Sequence, residues 1–243
     1  MKTWVVLNDI QLGFEDKPVL WDLVIPFVRK LKPDGVILDG DIVDCYSISS
    51  HRTRAEVKAK VNLQHEINLA QELMKELSFI GEKWWLGGNH ENRWTNLTDK
   101  LPELGFVKHL DFQTEFGLGE HGFRWKDYGD YVMLGKLMVT HGNIVRTHAA
   151  YSAKAHFDKF GCSVLHGHTH RVGWYCHTNI AGAHGAWENG CLCRLDGLGY
   201  TKHPDWQQAF AVVHVDKGGL FNVQQNLSLN RKKFFYGGEV WER

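Results

Sequence analysis

Five short segments each place an oxygen or nitrogen donor directly after an apolar run. They are LNDIQ ending at Gln11, GDIVD at 40–44, GNHE at 88–91, THGN at 140–143 and GHTH at 167–170. Short apolar runs of this kind read as buried strands, and in open α/β sheets the ligand crevice lies beyond the carboxyl ends of the strands. No other feature constrains the fold as much, because one crevice can then collect all five segments.

The chain has 243 residues, 43% of them hydrophobic, which is enough for one large core. A single domain over 1–243 is expected, with a rim or cap insertion near 101–130. Lys plus Arg and Asp plus Glu both number 28, so no global field draws the chain to nucleic acid or to a membrane. The basic stretches His51–Lys60 and Arg231–Lys233 read as solvated faces ahead of phosphate contacts. Five cysteines, an odd number with no CxxC pair, predict neither a disulfide scaffold nor a zinc knuckle. Met1 leads at once into a strand-like run with no signal-peptide pattern, and no apolar stretch approaches the roughly 18 residues that span a bilayer. The expected setting is a reducing cytoplasm.

Trp4–Leu7 and Val36–Leu38 flank Val19–Leu31, whose apolar residues recur at helical spacing, giving a β-α-β unit in which Pro26 should kink or delay the helix. Ala55–Leu77 predicts a long amphipathic helix and Trp84–Leu86 the next strand. Tyr131–Leu134 and Leu137–Thr140 meet at Gly135-Lys136, as a type II′ hairpin prefers. Thr147–Phe160 predicts a helix closed by Gly161, and Ser163–Leu165 a strand. The segment TNIAGAHGAWENG reads as loop, and Ala209–Val215 with Leu220–Leu229 as a hairpin. An α/β half followed by a hairpin-rich half predicts two sheets packed face to face with helices outside.

Asp9, Asp41, Asn89, His141, His168 and His170 offer carboxylate, amide and imidazole donors without a thiolate. That mixture suits Mn²⁺, Fe, Zn²⁺ or Ni²⁺ and admits Mg²⁺ and Co²⁺. Six or more ligands exceed a closed zinc site, so two metals about 3.5–4 Å apart use them economically.

As a set and in this order, GDxxD, GNH followed by an acid, HG and GHTH resemble the calcineurin-like metallophosphoesterases. The resemblance spans residues 8–170. It implies a four-layer α/β/β/α double-sheet sandwich, a dinuclear centre with manganese as the favoured metal, and hydrolysis of phosphomonoesters or phosphodiesters by a metal-activated hydroxide. Carried over by position, Asp9, residue 11, Asp41 and His170 hold one metal, while Asp41, Asn89, His141 and His168 hold the other. His90 then faces the leaving-group oxygen, and Asp44 orients it. Metal binding can lower a water pKa from about 15.7 to about 7, on the order of 12 kcal/mol. A general base alone supplies roughly 3–5 kcal/mol, so the metals carry most of the work.

The family's first motif is Asp-x-His, whereas here it reads Asp9-Ile10-Gln11. Gln11 coordinates only through a neutral amide oxygen, so the first site is expected to bind its metal weakly while activity is retained. Arg93 suits bidentate phosphate contact, the plainer alternative being a salt bridge to Glu91. For Asp44 the plainer alternative is loop capping.

His51, Arg52 and Arg54, and further on His177 and His184, are candidates for lining the substrate side of the crevice. His65, His109, His148, His156, His203 and His214 read as ordinary surface or half-buried residues. Trp4, Trp84 and Trp85 read as core, whereas Trp94, Trp125, Trp174 and Trp187 fall in predicted loops and invite base stacking. The resulting expectation is a metal-dependent phosphoesterase favouring phosphodiesters, with a nucleotide or nucleic acid among its candidate substrates. The alternatives are a DNA or RNA nuclease and a non-catalytic metal-binding scaffold with a degraded first site.

Overall fold

Alternate side chains of β1 (Lys2–Leu7) enter two different cores: Val5 and Leu7 join one buried cluster, Trp4 and Val6 another. β2 (Gly35–Asp39) repeats this, with Val36 and Leu38 on the first side and Ile37 on the second. Strands buried on both faces read as unbroken apolar runs, which is why these two were legible without alternation. The structure, a computed structural model, describes residues 1–49, 62–100, 103, 107, 110–196 and 204–243.

The first sheet also contains β3 (Glu82–Leu86), β4 (Arg124–Lys126), β10 (Ala209–Val215) and β11 (Phe221–Leu227), in the order β11-β10-β1-β2-β3-β4. β1 to β4 run parallel, and β10 and β11 are added antiparallel. The second sheet has the order β5-β6-β7-β9-β8. It is built from β5 (Val132–Leu134), β6 (Leu137–Thr140), β7 (Ser163–His166), β8 (Val172–Asn179) and β9 (Gly182–Asn189). A small hairpin, β12 (Lys233–Tyr236) with β13 (Glu239–Glu242), lies near the end of the chain.

Three clusters define four layers. Between the sheets, Trp4, Val6, Ile37 and Leu86 meet Leu134, Leu137, Val139 and Leu165. Outside the first sheet, Val5, Leu38 and Trp85 meet Phe27 and Val28 of α2 (Ile25–Leu31) and Leu73 and Met74 of α3 (Leu63–Glu76). Outside the second, Met138 and Val164 meet Ala153 and Phe157 of α6 (Tyr151–Phe160). This is the expected α/β/β/α sandwich of a mixed α/β chain.

The helix around Pro26 does not break. α1 (Lys17–Val19) leads into a π-helical turn, Leu20–Val24, and then α2, with the Ile25 N–H bonded to the Leu20 carbonyl. Proline lacks the N–H and crowds the carbonyl four residues back; a wider turn just before it absorbs both. α3 is capped by Asn62, which accepts from the Gln64 N–H, so the described helix begins at Leu63. Residues 55–61 lie outside the described residues, as do His51, Arg52, Arg54, His109 and His203. At Gly135 the φ of 62° fits the predicted two-residue turn between β5 and β6. Within 101–130, α5 (Phe112–Phe116) and β4 bring Phe112, Phe116 and Trp125 to the helical side of the first sheet.

Two expectations are overturned. The stretch read as loop at 178–190 belongs largely to the β8–β9 hairpin, whose register pairs Trp174 with Trp187 and His177 with His184. Small residues masked the strand pattern there, and Gly185 is needed because a Cβ would lie 2.2 Å from the Trp187 ring. The tryptophans placed in loops are therefore on elements: Trp125 on β4, and Trp94 buried on α4 (Asn92–Thr98). His177 and His184 lie against Phe157 of α6, their rings tilted to it by 44° and 45°.

Candidate metal centre

Parallel strands carry the ligand segments to one edge of the sandwich: β1 delivers Asp9, β2 Asp41, β3 Asn89 and His90, β6 His141, and β7 His168 and His170. The chain turns sharply after each strand. Ten non-glycine residues have positive φ among those described, and Asp9, Gln11, Asp41, His168 and His170 account for half of them. Such backbone is unfavourable for L-residues, so its concentration at five ligand candidates marks where the fold stores strain.

Among the described residues two groups of oxygen and nitrogen donors emerge. Asp41, His141 and His168 bring ligand atoms within 4.8 Å of one another, and so do Asp9, Asp41 and His170. Asp41 belongs to both. His141 Nδ1 donates to the Asp39 carbonyl at 2.8 Å, which fixes the tautomer and turns Nε2 towards Asp41 Oδ2 and Asn89 Oδ1, each 3.4 Å away. Donors about 2.1 Å from a tetrahedral metal stand about 3.4 Å apart, so this spacing fits a cation. Asp9 Oδ2 accepts from Asn8 Nδ2 at 2.6 Å and from the His168 backbone N–H at 2.8 Å, leaving Oδ1 to face His170 Nε2 at 3.0 Å. Among the described residues His168 Nδ1 is buried without a hydrogen-bond partner, as expected of a side chain shaped for a ligand.

At Asp41 and His168 the electrostatics point the same way. Burial opposes charge on Asp41, yet His141, His90 and His168 hold its carboxyl well below the usual carboxylate range. Burial, reinforced by His141, pushes His168 down to about 4, which leaves a neutral imidazole able to ligate near pH 7. Burial also works against a proton on His90, but Asp41 and Asp44 outweigh it and raise that group. His90 sits between them, Nε2 at 3.6 Å from Asp41 Oδ2 and Nδ1 at 3.4 Å from Asp44 Oδ2.

Arg93 does not pair with Glu91. Its Nη1 donates to the Asp44 carbonyl at 2.6 Å and to Asp44 Oδ1 at 2.9 Å, so Arg93, Asp44 and His90 form a line. Asp44 is thus engaged on both sides and is more than a loop cap. Gln11 is buried in the first loop, its backbone N–H bonded to the Asp41 carbonyl at 2.9 Å.

Several supporting residues escaped the sequence reading. Glu91 is buried and collects the N–H groups of Asp41, Ile42 and Gly88 at 2.8–2.9 Å and that of Val43 at 3.3 Å. Its place directly after GNH was the available signal. His156, expected at the surface or half-buried, is fully buried: its Nδ1 donates to the Ser152 carbonyl and its Nε2 accepts from the Asn143 N–H, steadying the loop that carries His141. Asn189 bonds Asn8, which in turn bonds Asp9. Cys193 lies 3.7 Å from Nδ1 of His170, a contact that only the fold creates.

No family model matches the chain. The Gene 54 protein of Mycobacterium phage D29 is 28% identical, with 99% of each chain covered, and that of Mycobacterium phage L5 is 27% identical over the same shares. Among solved structures, Vps29 of Chaetomium thermophilum aligns at a TM-score of 0.42 and 10% identity, covering 93% of this chain and 97% of that one. The Thermotoga maritima protein TM1076 aligns at 0.35 and 14%, covering 94% and 99%. Among the described residues no helix is long and apolar enough to cross a membrane.

Proposed function

We propose that this crevice is the active site of a metal-dependent phosphoesterase of the calcineurin-like metallophosphoesterase type, hydrolysing phosphodiesters in preference to phosphomonoesters. The observation that carries the reading is the sharing of Asp41 by two donor groups, His141 with His168 on one side and Asp9 with His170 on the other. Asn89 completes the first group and Gln11, through a weak amide oxygen, the second. Two divalent ions, manganese by preference, would supply an acidified water and polarisation of the phosphoryl oxygens.

The chain's own residues do the rest. Asp41 offers a buried, ionised carboxylate that offsets the mutual repulsion of two cations. His90, whose Nδ1 faces Asp44 Oδ2 at 3.4 Å, gives a proton to the departing oxygen. Arg93 fixes Asp44 through Nη1 and adds positive charge in line with Asp44 and His90. A purely structural metal site has no use for an imidazole held between Asp41 and Asp44 beside it, which favours an enzyme over a scaffold.

The test is hydrolysis of paired aryl phosphomonoester and phosphodiester substrates by protein reconstituted with Mn²⁺, Mg²⁺, Ni²⁺ or Zn²⁺. Faster cleavage of the diester is expected. Faster cleavage of the monoester overturns the preference, and no turnover with any metal leaves a metal-binding scaffold. Cleavage of a single-stranded oligonucleotide with steep salt dependence would instead identify nucleic acid as the substrate.

A further inference from the structure

On the far edge of the His170 ring from Asp9 lies a second kind of donor set. Cys191 and Cys193 are fully buried, and their sulfur atoms lie with a His170 nitrogen within 4.8 Å of one another. We propose that Cys191, Cys193 and Nδ1 of His170 form a separate buried site for a thiophilic d¹⁰ cation, Zn²⁺ by class.

Geometry supports it first. With Zn–S near 2.3 Å and Zn–N near 2.0–2.1 Å, tetrahedral neighbours stand about 3.6 Å apart for nitrogen and sulfur. His170 Nδ1 and Cys193 Sγ are 3.7 Å apart. The frame is also rigid. The Cys193 and Leu192 N–H groups donate to the Asp9 carbonyl at 3.0 and 3.1 Å, the Cys191 N–H to the Gln207 carbonyl at 3.0 Å, and the Gln207 N–H to the His170 carbonyl at 2.9 Å. The donors are therefore held in place by backbone and need no rearrangement. The Gln207 carbonyl, 3.6 Å from Cys191 Sγ, borders the remaining position.

Charge supports it second. The site is walled by Phe14, Tyr46, Leu195 and Trp206, where an uncompensated cation would be costly. Two thiols that release their protons to solvent on binding balance a divalent ion completely, and thiolate selects zinc-like ions over the harder metals suited to Asp9 and Asp41. With the sulfur site alone filled, His170 would keep its Nε2 proton towards Asp9 Oδ1, 3.0 Å away; with both centres filled that proton too would be released to solvent, and the ring would join them as an imidazolate. The inference does not depend on phosphoester hydrolysis.

The test uses Co²⁺ as the probe. Chelator-stripped, reduced full-length protein refilled with Co²⁺ is expected to show thiolate-to-cobalt charge-transfer absorption, which oxygen and nitrogen ligands cannot produce. C191S and C193S should each weaken that band and the double variant C191S/C193S should lose it, while C176S, altered at an exposed thiol, keeps it in full. Bound cobalt without the band, or a band unchanged in C191S and C193S, overturns the proposal. Should those variants fail to fold, zinc-edge X-ray absorption of the wild type decides: sulfur neighbours near 2.3 Å are expected, and a shell of oxygen and nitrogen alone refutes the site. The band survives a failed hydrolysis assay, so the two readings fail separately.

Discussion

The Glu91 carboxylate meets the Asp41 backbone N–H at 2.9 Å through the same oxygen that accepts the Gly88 N–H at 2.8 Å. Its other oxygen takes Ile42 and Val43. One buried carboxylate thus ties the loop after β2 to the loop after β3 and fixes Asp41. Glu91→Gln keeps the shape but turns an amide NH₂ against two N–H donors, whichever way it lies. Each buried donor left unsatisfied costs about 1–3 kcal/mol, so a loss of at least about 2 kcal/mol is expected by urea unfolding. A change below about 0.5 kcal/mol, the level of an ordinary surface substitution, would remove Glu91 from this role.

Gly88 is needed for close approach. A Cβ there would lie 2.2 Å from Asp41 Oδ1 and 2.4 Å from the Asp41 backbone nitrogen, which cannot retreat without moving the end of β2. Gly88→Ala is expected to cost about 1–3 kcal/mol by overpacking and to weaken Mn²⁺ binding by displacing Asp41. Gly81→Ala, whose new methyl would meet nothing nearer than 3.8 Å, is the control and should be neutral within about 0.5 kcal/mol. Equal behaviour of the two variants in thermal unfolding would contradict the steric account.

His156 gives a pH signature. Burial, the largest influence, pushes its pKa down to about 4 from 6.5. The unfolded chain therefore binds more protons than the folded one between those values, so stability is complete above about pH 6.5 and is lost as pH falls through about 4. The loss amounts to on the order of 3 kcal/mol at about 1.36 kcal/mol per unit. In His156→Gln that increment is absent, and the stability gap between wild type and variant should shrink from pH 7 to pH 4. A gap constant with pH would mean that His156 titrates normally.

What the sequence made legible follows from how local the signals are. Strands β1, β2, β3, β6 and β7 were readable because each is a short apolar run, and the ligands were readable because each follows such a run directly. The β8–β9 hairpin was hidden because Gly182, Ala183, Gly185 and Ala186 carry little of the bulk that marks strands. Glu91, His156 and Cys193 act through contacts between segments far apart in the chain. Cys193 and His170 are 23 positions apart, and neither spacing nor composition announces that meeting. The C-x-C pair itself was visible, but without His170 beside it there was no reason to read it as ligands.

The substitution at position 11 yields the sharpest contrast. Asp41 serves both donor groups, whereas Gln11 can offer only a neutral amide oxygen. Asp41→Asn removes the shared negative charge and should weaken Mn²⁺ binding in calorimetric titration by more than about 100-fold, beyond the 10–100-fold typical of residues that merely support a metal ligand. Gln11→Ala should fall within about tenfold of wild type. Gln11→His puts an imidazole where the amide stands, a better donor for Mn²⁺ or Zn²⁺, and should tighten the weaker of two binding steps. Equal losses in Asp41→Asn and Gln11→Ala would refute the bridging role. An unaltered second step in Gln11→His would show that residue 11 does not reach the metal, leaving Asp9, Asp41 and His170 to hold it unaided.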